Sequence, residues 1–532
     1  MSTAQQSSDA DESDMSGRPR VGAHRETISV VQLMALTLAV IAVLYLWEGH
    51  IGYNLWDEGF LWYGVQRVLH GEVPLRDFMA YDPGRYYWSA ALMVPFGGRG
   101  IVALRAATAL FSWIGIFAGV WVIHRGAIKR DRALWLIATV TLAAWMYPWF
   151  KVFDNTVAIL LVFSLAYLLR RPSVYRYFIA GTCVGLSVLF GRNHGVYGLV
   201  ACCGALAYLT LGFRPRECNL IKFASGMAGV VVGTVPLLAM MLWVPGFAGA
   251  FWESVRYLLQ SGATNFPLPV PYPWRVPFGQ MQLFDAMSAV LLGSLFLWIV
   301  AFGLLGLFAV AWKRWRNETV SPEFVAAILV SLPYAHYAYS RADVVHMAMA
   351  ISPCLIACFV VIGRVRAMAR YPLAIVLCAV SLFVVGPIHP GWQCIKTEQC
   401  VATMVGRDNL ELDPIAANDV ALLERLAHDF APNNQNFIVA PFWPGAYALL
   451  GRKSPMWANY ALWPRSEAIQ RQEIERIKAA DPRFALILNV ALDGREDLRF
   501  SKTNPLIDEY IRTHFQLLKG YGPDPVYEVY KR

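Results

Sequence analysis

The sequence predicts an all-α polytopic membrane protein, with about eleven transmembrane helices and a small C-terminal α/β domain. Three observations lead there. Apolar residues make up 57% of the 532-residue chain and charged residues 16%, a balance that excludes an ordinary globular surface. Apolar runs of about 20 residues, the length that crosses a hydrocarbon core of about 30 Å, recur from Val30 to Pro387. Beyond about Asn418 the hydropathy falls, and strand-like and helix-like segments alternate.

Residues 1–28 are rich in Ser, Asp, Gln, Gly and Pro and hold almost nothing apolar, so they are expected to form a disordered cytoplasmic tail. The spans follow at 29–47, 101–123, 133–150, 155–169, 177–191, 196–213, 223–244, 286–311, 324–339, 345–363 and 372–388. The first is too long for a signal-peptide core and is followed by Trp47, Glu48 and His50 instead of small residues, so it is expected to stay. Positive charge flanking spans is retained in the cytoplasm. Alternate connections carry Arg125, Lys129, Arg130 and Arg132; Arg170, Arg171 and Arg176; Arg214, Arg216 and Lys222; Lys313, Arg314 and Arg316; and Arg364, Arg366 and Arg370. That set is read as cytoplasmic, which puts the N-terminus inside and the C-terminal segment outside. The net charge of +9 is then largely a topological signal and gives no support to nucleic-acid binding, which needs a basic face on a soluble domain.

The expected organisation is a tail over 1–28, a transmembrane domain over 29–388 and an extracytoplasmic α/β domain over 389–532. In the last, Phe437–Ala440 and Phe484–Val490 read as strands, Ser466–Ala480 as a helix capped by Ser466, Pro505–Phe515 as a helix and Tyr527–Tyr530 as a closing strand. Seven of nine cysteines lie in or beside spans, where a thiol behaves as a small apolar residue. Cys394 and Cys400 lie just past the last span on the external side, where a disulfide fits an oxidising compartment. A metal pair at that spacing is the weaker alternative, because no second Cys or His pair lies nearby. Gly229 and Gly233 in the seventh span read as a helix-packing motif. No repeat of fixed period, Walker loop or dinucleotide fingerprint is present.

The chemistry-bearing residues sit in the external connections. Asp57-Glu58 follows the first span; after it come an amphipathic segment, a Gly and Pro break, and an aromatic return to the bilayer, Tyr81-Asp82-Pro83-Gly84-Arg85-Tyr86-Tyr87-Trp88. Ionisable residues at a membrane are expensive and mark function by default. That order resembles the first external loop of the GT-C membrane glycosyltransferases, which take sugars from polyprenyl-phosphate carriers. A second cluster, Arg341-Ala342-Asp343-Val344-Val345-His346, is similar to segments of bacterial GT-C enzymes in which basic groups hold the lipid-linked phosphate.

The resemblance implies an inverting glycosyltransferase of a bacterial inner membrane. It would use a polyprenyl-phosphate-linked sugar as donor and a glycan, lipid or protein as external acceptor, with a divalent metal left open. It places the base at Asp57, with Glu58 orienting acceptor or base; the alternative for Asp57 is a helix cap. Donor phosphate or substrate contacts are expected from Tyr81, Arg85, Asp154, Arg192, His194, Arg341, Asp343 and His346. Ion pairing among Lys151, Asp154 and Arg192, and an Arg341–Asp343 pair closing a helix end, are the structural alternatives. Aminoarabinose transferase-like members carry a Lys before the Pro of the aromatic return, where this chain has Asp82. The aromatic-rich loop Pro245–Asp285 reads as interfacial anchoring or as a gate over the donor groove. An O-antigen type polymerase or ligase, and a transporter, are the competing classes; the transporter is disfavoured by the lack of an inverted repeat.

Overall fold

The computed structural model describes residues 19–96, 98–128, 130–210, 219–261, 265–397, 399–521 and 526–532. Helix α1 (Pro19–Glu48) leads into a first loop holding α2 (Asp57–Leu69) and α3 (Gly84–Met93). Then come α4 (Ile101–Gly126), α5 (Arg132–Ala144), α6 (Val152–Arg170), α7 (Val174–Phe190), α8 (Arg192–Thr210) and α9 (Leu220–Trp243). After α10 (Phe247–Ser261) the chain returns as α11 (Leu283–Trp315), α12 (Pro322–Ser340), α13 (Val344–Ile362) and α14 (Ala367–Val385). Leaving aside α2, α3 and α10, these are helices at all eleven expected spans. Seven of them are long and apolar enough to cross a membrane by length and composition. Of the expected tail, residues 1–18 lie outside the described residues. Residues 19–28 continue α1 instead of forming an irregular tail, because extending an existing helix adds a hydrogen bond for each residue fixed.

Local capping explains several starts: Asp131, Ser173, Asn219 and Asp343 each accept a hydrogen bond from a backbone N–H in the first turn of α5, α7, α9 and α13. Small residues set the closest helix pair. A Cβ on Gly229 would lie 2.1 Å from the Phe178 carbonyl oxygen and one on Gly233 2.2 Å from that of Thr182, so α7 and α9 meet backbone to backbone. The arginine-rich helix ends gather at one end of the bundle. There Arg170 pairs with Glu323 and donates to the Arg125 carbonyl, Arg364 donates to that of Gly126, and Arg370 pairs with Asp131. Lys129, Arg214 and Arg216 lie outside the described residues.

Past α14, α15 (Gln393–Thr397) and the hairpin β1 (Val401–Val405)/β2 (Asp408–Leu412) precede α16 (Pro414–Phe430), β3 (Ile438–Ala440), α17 (Gly445–Leu449), α18 (Glu467–Ala480), β4 (Phe484–Leu488), α19 (Phe500–Thr503), α20 (Pro505–His514), β5 (Gln516–Leu518) and β6 (Tyr527–Lys531). The four-stranded sheet runs β3-β4-β6-β5, parallel between β3 and β4 and antiparallel elsewhere. Cys394 and Cys400 are joined in a disulfide between α15 and β1. The other cysteines among the described residues are free thiols on helices; Cys218 lies outside the described residues.

The change of composition at 389 is not a break in packing. One apolar core includes Phe60, Trp62 and Tyr63 of α2 together with Val405, Leu410, Trp443 and Tyr447. Gly59 and Gly445 touch so closely that a Cβ on Gly59 would lie 2.5 Å from the Gly445 Cα. The Gly445 N–H donates to the Leu55 carbonyl at 2.9 Å, the Glu411 N–H to that of His50 at 2.8 Å, and the Val102 N–H to the Asp408 carboxylate at 2.9 Å.

A cavity of about 190 Å³ lies between residues 53–56 and α16, where Asp419 and Ala416 line it. Burial pushes the Asp419 carboxyl up to about 6, with the charge of Asp413 adding and the Tyr527 hydroxyl opposing. The folded state therefore binds the extra proton between roughly pH 4 and 6, and stability from this group falls as pH rises through that window. Asp419→Asn keeps an acceptor for Tyr527. It is expected to raise the melting temperature in detergent at pH 7.5 and to leave it unchanged at pH 4; an equal effect at both would refute the assignment.

Candidate active site

The acidic pair opens α2, and the fold gives its two members different surroundings. Helix α2 begins at Asp57 with Trp56 before it, and no side chain caps it, so the capping role is not what Asp57 performs. Its Oδ1 accepts the Tyr460 hydroxyl at 3.3 Å, its Oδ2 lies 3.9 Å from Lys151 Nζ, and its side chain remains about a third exposed. Burial and the Asp57 charge push the Tyr460 phenol well above its usual range, so it stays a donor. Glu58 is buried, and Arg105 of α4 holds both its oxygens, Nε at 2.7 Å and Nη2 at 2.9 Å. The same guanidinium donates to the carbonyls of Gly49, Ile51 and Gly52. Glu58 thus has a partner within the fold: its charge neutralises an arginine inside the bundle at the turn from α1 into α2.

Behind Asp57 a polar chain runs into the bundle. Lys151 donates to the Tyr81 hydroxyl at 3.4 Å, and the Arg85 guanidinium lies over the Tyr81 ring at 4.8 Å. Arg85 Nη2 donates to the Phe190 carbonyl at 2.8 Å and stands 3.5 Å from Asp154 Oδ1. That oxygen also bonds His194 Nε2 at 2.8 Å and the Tyr337 hydroxyl at 3.2 Å, while His194 Nδ1 meets the Tyr334 hydroxyl at 2.8 Å. With Nε2–H donating to the carboxylate, Nδ1 accepts the Tyr334 proton, which satisfies the ring. Burial pushes the Tyr81 phenol up, with Asp57 adding and Lys151 and Arg85 opposing. Among the described residues, two buried atoms of this polar network, Arg85 Nε and Asp154 Oδ2, have no hydrogen-bond partner, a costly state inside a protein. Asn155, which follows Asp154, donates its amide to the Trp145 carbonyl.

The structure therefore brings Asp57, Tyr81, Arg85, Asp154 and His194 together with Lys151. Two further arginines are occupied elsewhere. Arg192 Nε pairs with Asp82 at 2.9 Å and its Nη1 donates to Ser254, so the carboxylate at the departure from the aminoarabinose transferase pattern holds Arg192. Arg341 makes a bidentate pair with Asp493 of the C-terminal domain, at 2.7 and 2.8 Å, and a third bond to Asp343. Asp343 accepts both the backbone N–H and Nδ1 of His346 at 2.8 Å. Burial opposes charge on Asp343, but the bonds and charges of His346 and Arg341 outweigh it and hold its carboxyl below the usual range. Two carboxylates, Asp343 and Asp493, hold the Arg341 fork and tie the start of α13 to the C-terminal region. Arg341→Ala is expected to cost about 1 kcal/mol, the scale of a partly exposed pair, and to speed limited proteolysis of the C-terminal domain without changing donor KM. A raised donor KM with normal proteolysis would restore the phosphate role.

Arg105, Tyr460, Tyr334, Tyr337 and Asp493 escaped the sequence reading. Arg105 carried a usable signal, as a lone charge inside an apolar span. Tyr460 lies 403 residues from Asp57, and nothing local marks it. Among the described residues no group of three His, Cys, Asp or Glu is placed to hold a metal ion.

The helical bundle carries a small α/β region packed over its first loop, where an acidic pair starts α2. Among solved structures, the chain is similar to the aminoarabinose transferase ArnT from Cupriavidus metallidurans bound to undecaprenyl phosphate, with a TM-score of 0.55 and 14% identity over 95% of this chain and 98% of that one. The apo state of ArnT aligns with a TM-score of 0.52 at 13% identity over the same shares. The apo oligosaccharyltransferase of Archaeoglobus fulgidus aligns more loosely, at 0.49 and 11% identity over 92% of this chain and 73% of that one. No family model matches the chain, and no curated protein matches it. At these identities the likeness is one of fold.

Proposed function

We propose that this protein is a membrane glycosyltransferase that moves a sugar from a polyprenyl-phosphate carrier to an acceptor hydroxyl at the external face. The observation that carries the reading is Asp57, a partly exposed carboxylate held between a tyrosine hydroxyl and a lysine, with the buried cation Arg85 next in line. Asp57 takes the proton of the acceptor hydroxyl as its oxygen attacks the anomeric carbon. The bond from that carbon to the carrier phosphate breaks, with inversion, and the electron pair leaves on the phosphate oxygen. Lys151 and Arg85 stabilise that charge; Asp154 and His194 position Arg85. The unpartnered Nε of Arg85 is a donor that a phosphate oxygen would satisfy. The donor class is further supported by the undecaprenyl phosphate bound to ArnT.

In this reading eleven helices cross a bacterial inner membrane, the N-terminus is cytoplasmic, and Asp57 and the C-terminal domain are external. The acceptor is an external glycan, lipid or protein. The ligase alternative would lean on Arg and His of a large loop without an early acidic pair, and this chain has that pair at Asp57-Glu58.

The test is transfer of labelled sugar from purified polyprenyl-linked donors to envelope acceptors by the protein in detergent. Donor-dependent product is expected. Failure with a panel of donors, together with counterflow of labelled sugar in vesicles lacking any lipid donor, would replace the enzyme with a transporter.

A further inference from the structure

A second hollow lies at the arginine-rich end of the bundle, opposite Asp57. It is a cleft of about 620 Å³ lined by Gln32 of α1, by Arg130, Asp131, Arg132 and Trp135 at the start of α5, and by Arg370 and Tyr371 of α14. That volume is in the range of sites for small ligands, roughly 300–1,000 Å³. Its single carboxylate is already engaged: Asp131 caps α5 through the Leu134 N–H and accepts Arg370 Nη1 and the Tyr371 hydroxyl, each at 3.0 Å. Arg370 is in turn fixed by a bond to the Val365 carbonyl, and its buried Nε has no acceptor among the described residues. Arg130 and Arg132 are exposed, and no ion pair among the described residues involves either. Three guanidinium groups therefore face one neutralised acid across a gap between three helices.

We propose that this cleft binds the phosphate headgroup of an anionic membrane lipid. Arginine forks match phosphate oxygens bidentately, and basic pockets between membrane helices are suited to such headgroups. A free phosphate would use the same guanidinium groups, but exposed apolar side chains follow them along the same helices. Leu136 lies four residues after Arg132 and Leu373 three after Arg370, on the same helix faces, and both are about half exposed. Acyl chains would lie along them while the headgroup sits among the arginines. The proposal is independent of the chemistry at Asp57.

The experiment is native mass spectrometry of the full-length protein in mild detergent with equal phosphatidylglycerol and phosphatidylcholine. One phosphatidylglycerol is expected to be retained in preference to phosphatidylcholine and to resist inorganic phosphate. The Arg130→Gln/Arg132→Gln variant is expected to lower that retention about tenfold or more. Both side chains are exposed, so its melting temperature should match that of the wild type. Arg316→Gln, which changes an exposed arginine after α11, should leave retention unchanged. Equal retention by the double variant, no preference over phosphatidylcholine, or displacement by inorganic phosphate would each overturn the proposal, the last by making the cleft a site for a soluble anion.

Discussion

Asp57→Asn is expected to lower sugar transfer by roughly 10²-fold or more, the scale of losing a general base, with folded protein and donor binding unchanged. The substitution is clean because the structure separates the roles. Asn still accepts the Tyr460 hydroxyl, and α2 does not depend on Asp57 as its cap. Only the proton acceptor and the charge facing Lys151 are lost. The measurement is single-turnover transfer from a purified polyprenyl-linked donor, with donor binding followed separately. Near-normal turnover would remove Asp57 from the mechanism and leave the fold as the sole support for the activity.

Arg105→Ala is expected to be the most destabilising single change, because it leaves Glu58 buried as an unpaired charge and takes a donor from three carbonyls. Breaking a buried pair from one side costs about 3–5 kcal/mol, enough to deplete the folded protein. Glu58→Ala should do comparable damage from the other side. Thermal unfolding in detergent, read by loss of the monodisperse peak, checks both. A Glu58→Ala protein with a wild-type melting temperature and no transfer would return Glu58 to the chemistry.

The helices were readable in the sequence because lipid imposes a length. A span must satisfy its backbone internally over the bilayer thickness; helices stand at all eleven expected positions, and seven are long and apolar enough to cross. In the C-terminal domain the buried strand Phe484–Leu488 and the Ser466-capped α18 were also readable. The hairpin β1/β2 and β5 were not: all three are short, β1 and β5 are largely exposed, and the alternation in β2 rests on Leu410 and Leu412 alone. Helix α16 starts with Asp413 as cap and Pro414 in its first turn, a signal that was present and went unread. For the site, the sequence located charged residues at helix ends but not their partners. Arg192 and Arg341 looked available for phosphate because Asp82 and Asp493 reach them only through the folded chain. The pairing of Asp57 with Tyr460 has the same origin.

The contact between Gly59 and Gly445 also bears on how such proteins could be recombined. Two backbones meet there with no room for a side chain on either, two residues along α2 from Asp57. A C-terminal domain grafted from a homologue would have to bring a matching glycine, a carbonyl in place of Leu55 O and a tyrosine at the position of Tyr460. Swaps cut at the composition boundary near 389 are therefore expected to give misassembled hybrids, and viable ones would have to exchange residues 50–64 along with the domain that covers them. The two segments pack as one unit although the chain separates them by more than three hundred residues.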